Sequence, residues 1–342
     1  MTGLDAGRLA RHYDLNGLRL ATEADRPGLG DFLDFVLVPF DAPATGRPDF
    51  RVTVETRDSL PALPDGVVQW AGSLPEGLAS TLVRAGDRRC LHVPPHYQAL
   101  SERDGARARV LVVPGSERWL GGSLAFWLID EMMIGGGRQL VHAACLARDG
   151  GDAILIFAAS GTGKTTTALA LARNGYALVG DDAAVLEFRN GRPWVWGLPR
   201  PVNLHRRTAT MLPWLSSQSW SDKDPDERRL PLSSATLFAV CAPSVARPCG
   251  GVVLLRSPGA GESEAAPLAR PEALVEIAAD NVRLAPGGLD EDGASLFEDL
   301  ARLVAAVPAV SLRVGPDPGA LQPMLLEAAG LVPARADESS PA

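Results

Sequence analysis

The chain has 342 residues, of which 46% are hydrophobic and 22% are charged, a balance typical of a globular protein with a substantial core. Its net charge of −8 argues against binding to nucleic acid or to an anionic membrane, because both need a basic surface. No apolar run reaches the roughly 18 residues that cross a bilayer, and the first residues do not resemble a signal peptide. We therefore expect a cytoplasmic protein with reduced cysteines and no nucleic-acid or membrane partner.

The first 122 residues predict a mixed, β-rich N-terminal domain. Short apolar segments at 34–39, 50–55 and 110–113 lie between Pro, Gly and Asp residues and are typical of strands. A helix is expected at 123–133, because glycines precede it and a run of three glycines follows it. This N-terminal domain is a candidate for recognition of an acceptor.

From residue 140 onward, predicted strands alternate with predicted helices, which indicates an α/β domain over 123–333. The predicted strands are 141–147, 153–158, 176–179, 183–188, 194–196, 235–241 and 251–255, and the predicted helices are 165–173, 271–282, 294–306 and 318–329. The polar segment 216–229 is either a surface loop or a lid, 256–267 is a loop, and 334–342 is expected to be a disordered tail.

A glycine-rich loop follows the predicted buried strand 153–158. The residues from Ala158 onward match the phosphate-loop pattern G-x4-G-K-[ST] except that Ala158 replaces the first glycine. In such a loop, backbone N–H groups and the N-terminus of the next helix surround phosphate oxygens. The residues that this pattern assigns to nucleotide binding are Ser160, Gly161, Thr162, Gly163, Lys164, Thr165 and Thr166.

Lysine is rare in this chain, and one of its two lysines lies in the glycine-rich loop. Of 33 basic residues, only Lys164 and Lys223 are lysine. Because the wide guanidinium of arginine does not replace a compact ammonium in a phosphate cradle, the lysine at position 164 indicates a functional role. The alternative is a glycine-rich turn that binds no ligand.

Two adjacent carboxylates follow the next predicted strand. Asp181 and Asp182 come directly after it, at the edge where ligands bind in open α/β sheets. One carboxylate can hold a metal ion while the other takes a proton from an acceptor hydroxyl. His142, on the strand expected to pair with 153–158, is either a catalytic residue near the phosphate or a histidine of the core. The alternative for the two aspartates is a role in a turn.

These motifs together resemble the catalytic domain of the HPr kinase/phosphorylase family. The resemblance rests on Ser160–Thr165, on the pair Asp181 and Asp182, and on the upstream His142. The first aspartate of the pair follows Lys164 by 17 residues. It implies a P-loop kinase domain of the HPr kinase/PEP carboxykinase type, with Asp181 as the base, His142 and Lys164 near the transferred phosphate, and Thr165 with Asp182 as Mg²⁺ ligands.

Two departures separate the chain from that family. The glutamate-bearing signature of the family is reduced here to residues 195–200 without the glutamate, and the N-terminal region has no counterpart. ATP-dependent phosphoenolpyruvate carboxykinases share similar motifs but need a further upstream lysine, and no lysine precedes Lys164 in this chain. The missing lysine therefore disfavours decarboxylase chemistry. The missing glutamate puts the phosphorolytic reverse reaction in doubt.

The leading hypothesis is an ATP- and Mg²⁺-dependent kinase that phosphorylates a hydroxyl, with a serine of a peptide or small protein, such as a ribosomal peptide precursor, as the acceptor. Two alternatives remain open from the sequence. One is a kinase of free serine or a similar small alcohol, and the other is a nucleotide-binding regulatory module without transfer. A homo-oligomer is compatible with the sequence.

Overall fold

The protein is described by a computed structural model over residues 9–148, 151–218, 220, 226–257, 261–282, 288–315, 321, 324 and 325. Its contacts divide the chain into two compact units, Met1–Leu140 with Leu284–Ala294, and Val141–Arg283 with Ser295–Ala342. This division differs from the boundary at residue 122 that the sequence suggested.

The described residues of the first unit form one eight-stranded sheet and its accompanying helices. The strands are β1 (Leu9–Leu15), β2 (Leu18–Ala24), β3 (Phe50–Thr56), β4 (Val67–Ser73), β5 (Ala79–Ala85), β6 (Arg88–Val93), β7 (Tyr97–Glu102) and β8 (Arg107–Val112). The helices are α1 (Asp34–Leu37) and α2 (Ser123–Gly135), with 3₁₀ turns at Gly30–Leu33, Val38–Phe40 and Glu117–Trp119. The strands form one sheet in the order β1-β2-β3-β8-β7-β6-β5-β4.

Helix α2 belongs to this first unit because of a buried ionic cluster. Glu131 of α2 has no exposed surface and is ion-paired with Arg89 and Arg103, whose Nε lies 3.3 Å from the Glu131 carboxylate. A buried carboxylate needs such partners, since an unpaired charge in the interior is costly. The sequence prediction of a helix at 123–133 is confirmed, and the predicted strand at 34–39 is wrong because that segment is helical.

Within the residues that the structure describes, the second sheet has nine strands in a mixed arrangement. Its members are β9 (Gln139–Val141), β10 (Ala144–Arg148), β11 (Ala153–Ala158), β12 (Tyr176–Gly180), β13 (Ala184–Arg189), β14 (Arg192–Gly197), β17 (Arg247–Arg256), β18 (Glu264–Pro267) and β19 (Ala309–Arg313). The order is β12-β10-β11-β17-β14-β13-β9, and β19 pairs with both β17 and β18. A separate ribbon joins β15 (Val202–His205) to β16 (Glu227–Leu230).

The helices α3 (Lys164–Arg173), α4 (Arg206–Met211), α5 (Ala235–Phe238), α6 (Arg270–Asn281) and α7 (Glu291–Ala306) accompany these strands, with a 3₁₀ turn at Pro213–Leu215. Strand β11 is parallel to β17 and antiparallel to β10, which is in turn antiparallel to β12. Strands β11 and β12 therefore run in the same direction. Their C-terminal ends, which carry the candidate site, lie at the same edge of the sheet.

Strand β11 is buried on both faces, as its continuous apolar sequence predicts. Because side chains alternate along a strand, Ile154 and Ile156 enter one core with α3, and Leu155 and Phe157 enter another with α6 and α7. Full burial of each such side chain contributes about 1.5–3 kcal/mol to the free energy of unfolding. The strand is thus a rigid base for the loop that follows it.

Four further sequence predictions for this part of the chain need correction. The predicted strand 141–147 is divided at His142 and Ala143 into β9 and β10, so His142 lies in a bend and not within a strand. The predicted strand 235–241 contains α5, because the Ser234 side chain accepts a hydrogen bond from the Leu237 N–H and caps a helical turn. The predicted loops 216–229 and 256–267 end in β16 and β18.

Two predictions fall outside the described residues: most of the helix at 318–329 and the whole tail at 334–342. Within the described part of the chain, no helix combines the length and apolar character required to cross a bilayer.

Candidate functional site

The glycine-rich loop joins β11 to α3 at the edge of the second sheet. Gly161 and Gly163 have φ values of +79° and +100°, a region that side-chain-bearing residues rarely adopt. Gly163 is the N-cap of α3 and provides no side-chain acceptor, so no side-chain cap competes for the first N–H groups of the helix. The loop therefore offers backbone donors and the positive end of a helix to an anion.

Ala158, which replaces the first glycine of the motif, is compatible with this geometry. It is the last residue of β11 and therefore has an extended backbone that any residue can adopt. Its methyl group is buried in the core that contains α3. The positive φ values of the loop occur at Gly161 and Gly163, so alanine at position 158 does not interfere with them.

Lys164 is buried at the first turn of α3, with 8% of its surface exposed. Its Nζ donates a hydrogen bond of 2.6 Å to Oδ1 of Asp182. Lysine is rarely buried to this extent without a charged partner, and here the partner is one of the two predicted carboxylates. The ammonium group is thus held at the cavity by an ion pair.

Asp181 is the more buried carboxylate of the pair, with 4% of its surface exposed. Its Oδ2 accepts a hydrogen bond of 2.8 Å from the hydroxyl of Thr165, whereas its Oδ1 is buried with no hydrogen-bond partner within the described structure. Burial raises the pKa of Asp181, and the bond from Thr165 partly opposes this rise. An unpartnered buried carboxylate oxygen is costly and is a natural position for a cation.

Asp182 faces the cavity, and 45% of its side chain is exposed. Besides Lys164, its carboxylate contacts His142 Nε2 at 2.6 Å and Arg200 Nη1 at 3.5 Å. Its backbone has a φ of +70°, a left-handed conformation that aspartate tolerates better than most residues. Burial acts to raise the pKa of Asp182, but the bond from His142 and the charge of Lys164 outweigh it and hold the pKa below its usual range.

His142 is fixed by three contacts. Its Nε2 faces Asp182, its Nδ1 lies 2.7 Å from Oδ2 of Asp280, and its backbone N–H donates to Oδ1 of Asn281 at 2.7 Å. The hydrogen bond with Asp182 raises the pKa of His142. The sequence analysis identified His142 but not Asp280 or Asn281, which lie 138 and 139 positions further along the chain.

The two aspartates are positioned by a close approach between β12 and β14. A Cβ atom on Gly180 would lie 2.8 Å from Cα of Gly197 and 2.9 Å from the carbonyl oxygen of Leu198, and both of these are backbone atoms. Only glycine fits at these two positions without displacing the backbone. Gly197 lies within residues 195–200, where the chain departs from the HPr kinase signature. The close approach to Gly180 explains why residue 197 is a glycine.

The predicted residues all line one cavity of about 790 Å³. Its lining includes His142, Ser160, Gly161, Thr162, Gly163, Lys164, Thr165, Thr166, Asp181 and Asp182. A second wall, which the sequence analysis did not identify, comes from β15 and α4 and carries Asn203, His205, Arg206, Arg207 and Thr208. The hydroxyls of Thr166 and Thr208 lie 2.9 Å apart and connect this wall to α3.

The donor set suits a hard cation that is completed by a nucleotide. In the described residues, no group of three or more His, Cys, Asp or Glu side chains is arranged to hold a metal ion. Mg²⁺ in kinase sites is instead held by one or two protein oxygens together with phosphates and waters. The Thr165 hydroxyl and the unpartnered Oδ1 of Asp181 fit that pattern.

Comparison with known proteins gives little beyond this geometry. No family model matches the chain. No curated protein matches it either. Among solved structures, one match is the HPr(Ser) kinase/phosphatase from Coxiella burnetii, at 17% sequence identity and a TM-score of 0.25. The match covers 34% of this chain and 65% of that chain.

Proposed function

We propose that the chain is an ATP- and Mg²⁺-dependent phosphotransferase that transfers the terminal phosphoryl group of ATP to a hydroxyl. The observation that carries the proposal is the buried Lys164 at the N-terminus of α3, directly after a loop with two positive-φ glycines. Buried ammonium, backbone donors and a helix dipole act together on phosphate oxygens. A glycine-rich turn that binds no ligand would not need the buried ammonium, the backbone donors or the helix dipole.

The protein itself would hold Mg²⁺ through Thr165 and Asp181. Their oxygens already lie 2.8 Å apart, and the other oxygen of Asp181 is unpartnered. Mg²⁺ held there would supply positive charge to offset the negative charge that develops during phosphoryl transfer. The role of Asp181 in this proposal differs from that of the family resemblance, which makes it the base.

Asp182 is then the carboxylate that an acceptor hydroxyl can reach. Its side chain is exposed to the cavity, whereas Asp181 is almost completely buried. In the described structure the hydrogen bond with His142 and the ion pair with Lys164 together keep the pKa of Asp182 low. As Lys164 turns to phosphate oxygens, Asp182 loses that partner and becomes a better proton acceptor. His142 remains hydrogen-bonded to it and fixes its orientation.

With Asp181 as the Mg²⁺ ligand and Asp182 as the base, substitution of each aspartate should have a different effect. Asp181→Asn should weaken Mg²⁺-dependent nucleotide binding, because a neutral amide replaces a charged ligand of a hard cation. Asp182→Asn should leave nucleotide binding nearly unchanged and lower kcat by about 10²–10⁴, the usual contribution of a general base. Nucleotide titration with and without Mg²⁺, together with single-turnover transfer, separates the two. The opposite pair of phenotypes would restore the roles implied by the resemblance.

The acceptor that we expect is a serine hydroxyl on a peptide or small protein. The cavity is open and bounded by the arginine-bearing wall of β15 and α4, which leaves room for a group larger than the nucleotide phosphates. The test is incubation with ATP, Mg²⁺ and either a library of serine-containing peptides or free L-serine, followed by ³¹P NMR for a phosphomonoester. Formation of a peptide phosphomonoester supports the proposal, and transfer to free serine alone would make the enzyme a small-molecule kinase. Nucleotide binding without any transfer would instead support a regulatory module.

A further inference from the structure

His142 lies in the bend between β9 and β10, where no strand ladder fixes its backbone. Its backbone N–H donates instead to the side chain of Asn281, and its ring Nδ1 contacts the carboxylate of Asp280, both at 2.7 Å. These two residues are the last of helix α6. A backbone contact and a ring contact from one helix end therefore define both the position and the rotation of the imidazole.

We propose that Asp280 and Asn281 form a clamp that positions His142 against Asp182, an inference that rests on the proposed phosphotransferase function. With Nδ1 occupied by Asp280, the ring must present Nε2 to Asp182, and this contact is 2.6 Å long. Each ring nitrogen faces a carboxylate oxygen, which is an acceptor for a ring N–H. A rotation of the ring by 180° would break both bonds. Asp280 thus acts through His142 on the proposed base.

The clamp stands on a rigid helix. Ala273 and Ile277 of α6 are fully buried in the core beneath β11, and the Asn281 side chain also donates to the Ile277 carbonyl oxygen at 2.9 Å. Arg256 of β17 is also ion-paired with Glu272 of this helix at 3.0 Å and with Glu276. A functional group that is supported from a packed element holds its geometry better than one on a loop.

All members of the clamp belong to the second unit, and Asp280 does not line the cavity itself. It is therefore a positioning residue that touches neither nucleotide nor acceptor. Two carboxylates with a histidine between them connect the C-terminal end of α6 to the cavity wall. Removal of the outer carboxylate leaves Asp182 and Lys164 in place but frees the ring to turn.

The direct test is NMR of the imidazole groups, which does not depend on any activity. The chain has five histidines, so His142 can be assigned by comparison with His142→Gln. In the wild type we expect a slowly exchanging, downfield Nδ1–H proton from His142, as for a hydrogen bond to a carboxylate. Asp280→Ala should lose this signal, and Asp280→Asn should shift it upfield, because a neutral amide oxygen is a weaker acceptor. An identical signal in wild type and Asp280→Ala would overturn the clamp.

The second arm measures phosphoryl transfer to the acceptor that the peptide and free-serine incubations reveal. Asp280→Ala should lower kcat by about 10–100-fold, the usual effect of losing a residue that orients a functional histidine, while KM for ATP changes little. Asp280→Asn should lie between Ala and wild type. The matched control is Glu272→Ala, which removes a carboxylate of the same helix that bonds to Arg256, and it should retain wild-type kcat.

Equal loss in Asp280→Ala and Glu272→Ala would mean that the helix charge or its packing matters and would overturn the positioning role. An unchanged kcat in Asp280→Ala would overturn it as well. If the wild type transfers no phosphate, the proposed function fails, and the Nδ1–H signal alone then decides whether the clamp exists.

Discussion

Replacement of Thr165 by valine removes one hydroxyl from the glycine-rich loop and preserves the size and branching of the side chain. In the wild type that hydroxyl donates to Oδ2 of Asp181, a carboxylate with 4% of its surface exposed and with its other oxygen already unpartnered. A hydrogen bond to a charged group contributes about 1.5–3 kcal/mol, and its removal here leaves a buried carboxylate without a described donor. We expect Thr165→Val to lower the free energy of unfolding by about 2 kcal/mol.

The assay is urea denaturation at pH 7 without nucleotide, followed by tryptophan fluorescence. The matched control is Thr166→Val, which removes the neighbouring hydroxyl of α3 and breaks only a neutral contact with Thr208. That bond is worth about 0.5–1.5 kcal/mol. Thr165→Ser retains the donor and should remain close to the wild type.

The cost of Thr165→Val should also depend on pH in a defined direction. Burial raises the pKa of Asp181, and loss of the Thr165 bond raises it further, so the folded variant holds this proton to a higher pH than the folded wild type does. The penalty is therefore small near the ordinary aspartate pKa of about 3.9 and grows as the pH rises. A Thr165→Val cost that is no larger than the Thr166→Val cost, or that is independent of pH, would refute the reasoning about Asp181.

Two further predictions concern the support of the site. Gly180→Ala should lower the free energy of unfolding by about 1–3 kcal/mol, because the three atoms nearest to the added Cβ are backbone atoms within 3.1 Å. Gly261→Ala is the control and should be tolerated, because no atom lies within 4 Å of the added Cβ. Urea denaturation of both variants measures the difference. Folding raises the pKa of His142 above its ordinary value of 6.5. Between pH 6.5 and the pKa of the folded state, the folded protein therefore binds more protons than the unfolded chain. The free energy of unfolding should fall as the pH rises through that window. His142→Gln should remove this slope in the same measurement, and an unchanged slope would contradict the assignment to His142.

The sequence predicted the centre of the second sheet well because local signals agreed there. The run 153–158 is long enough and apolar enough to be a strand buried on both sides, and the glycines and Lys164 that follow it match the pattern of a phosphate-binding turn into a helix. The helix at 123–133 was predicted from its flanking glycines and is observed as Ser123–Gly135. These elements need no knowledge of distant residues.

Other elements were predicted wrongly because a short apolar run does not distinguish a strand from a buried helical turn. The segments 34–39 and 235–241 both contain such runs and are helical in part. Ser234, a good N-cap residue, was the available signal for α5. The bend at His142 had no comparable signal within the apolar stretch around it.

The site could be predicted only as far as its local motifs extend. The pairing of Thr165 with Asp181 depends on the positions of β11 and β12 on either side of β10, an order that the chain does not state. Asp280 meets His142 only because α6 packs beneath β11. Glycines at positions 180 and 197 were visible in the sequence, but their mutual approach arises from the strand arrangement.

The central claim is that Lys164 and the loop around it bind the phosphates of ATP. The most direct measurement is calorimetric titration of Mg²⁺-ATP into the wild type and into Lys164→Met, which keeps the length and burial of the side chain and removes its charge. Loss of a charge-assisted contact worth about 1.5–3 kcal/mol should weaken binding by about 10–150-fold, with circular dichroism unchanged. Equal affinities of the two proteins, or no binding to the wild type, would contradict the claim.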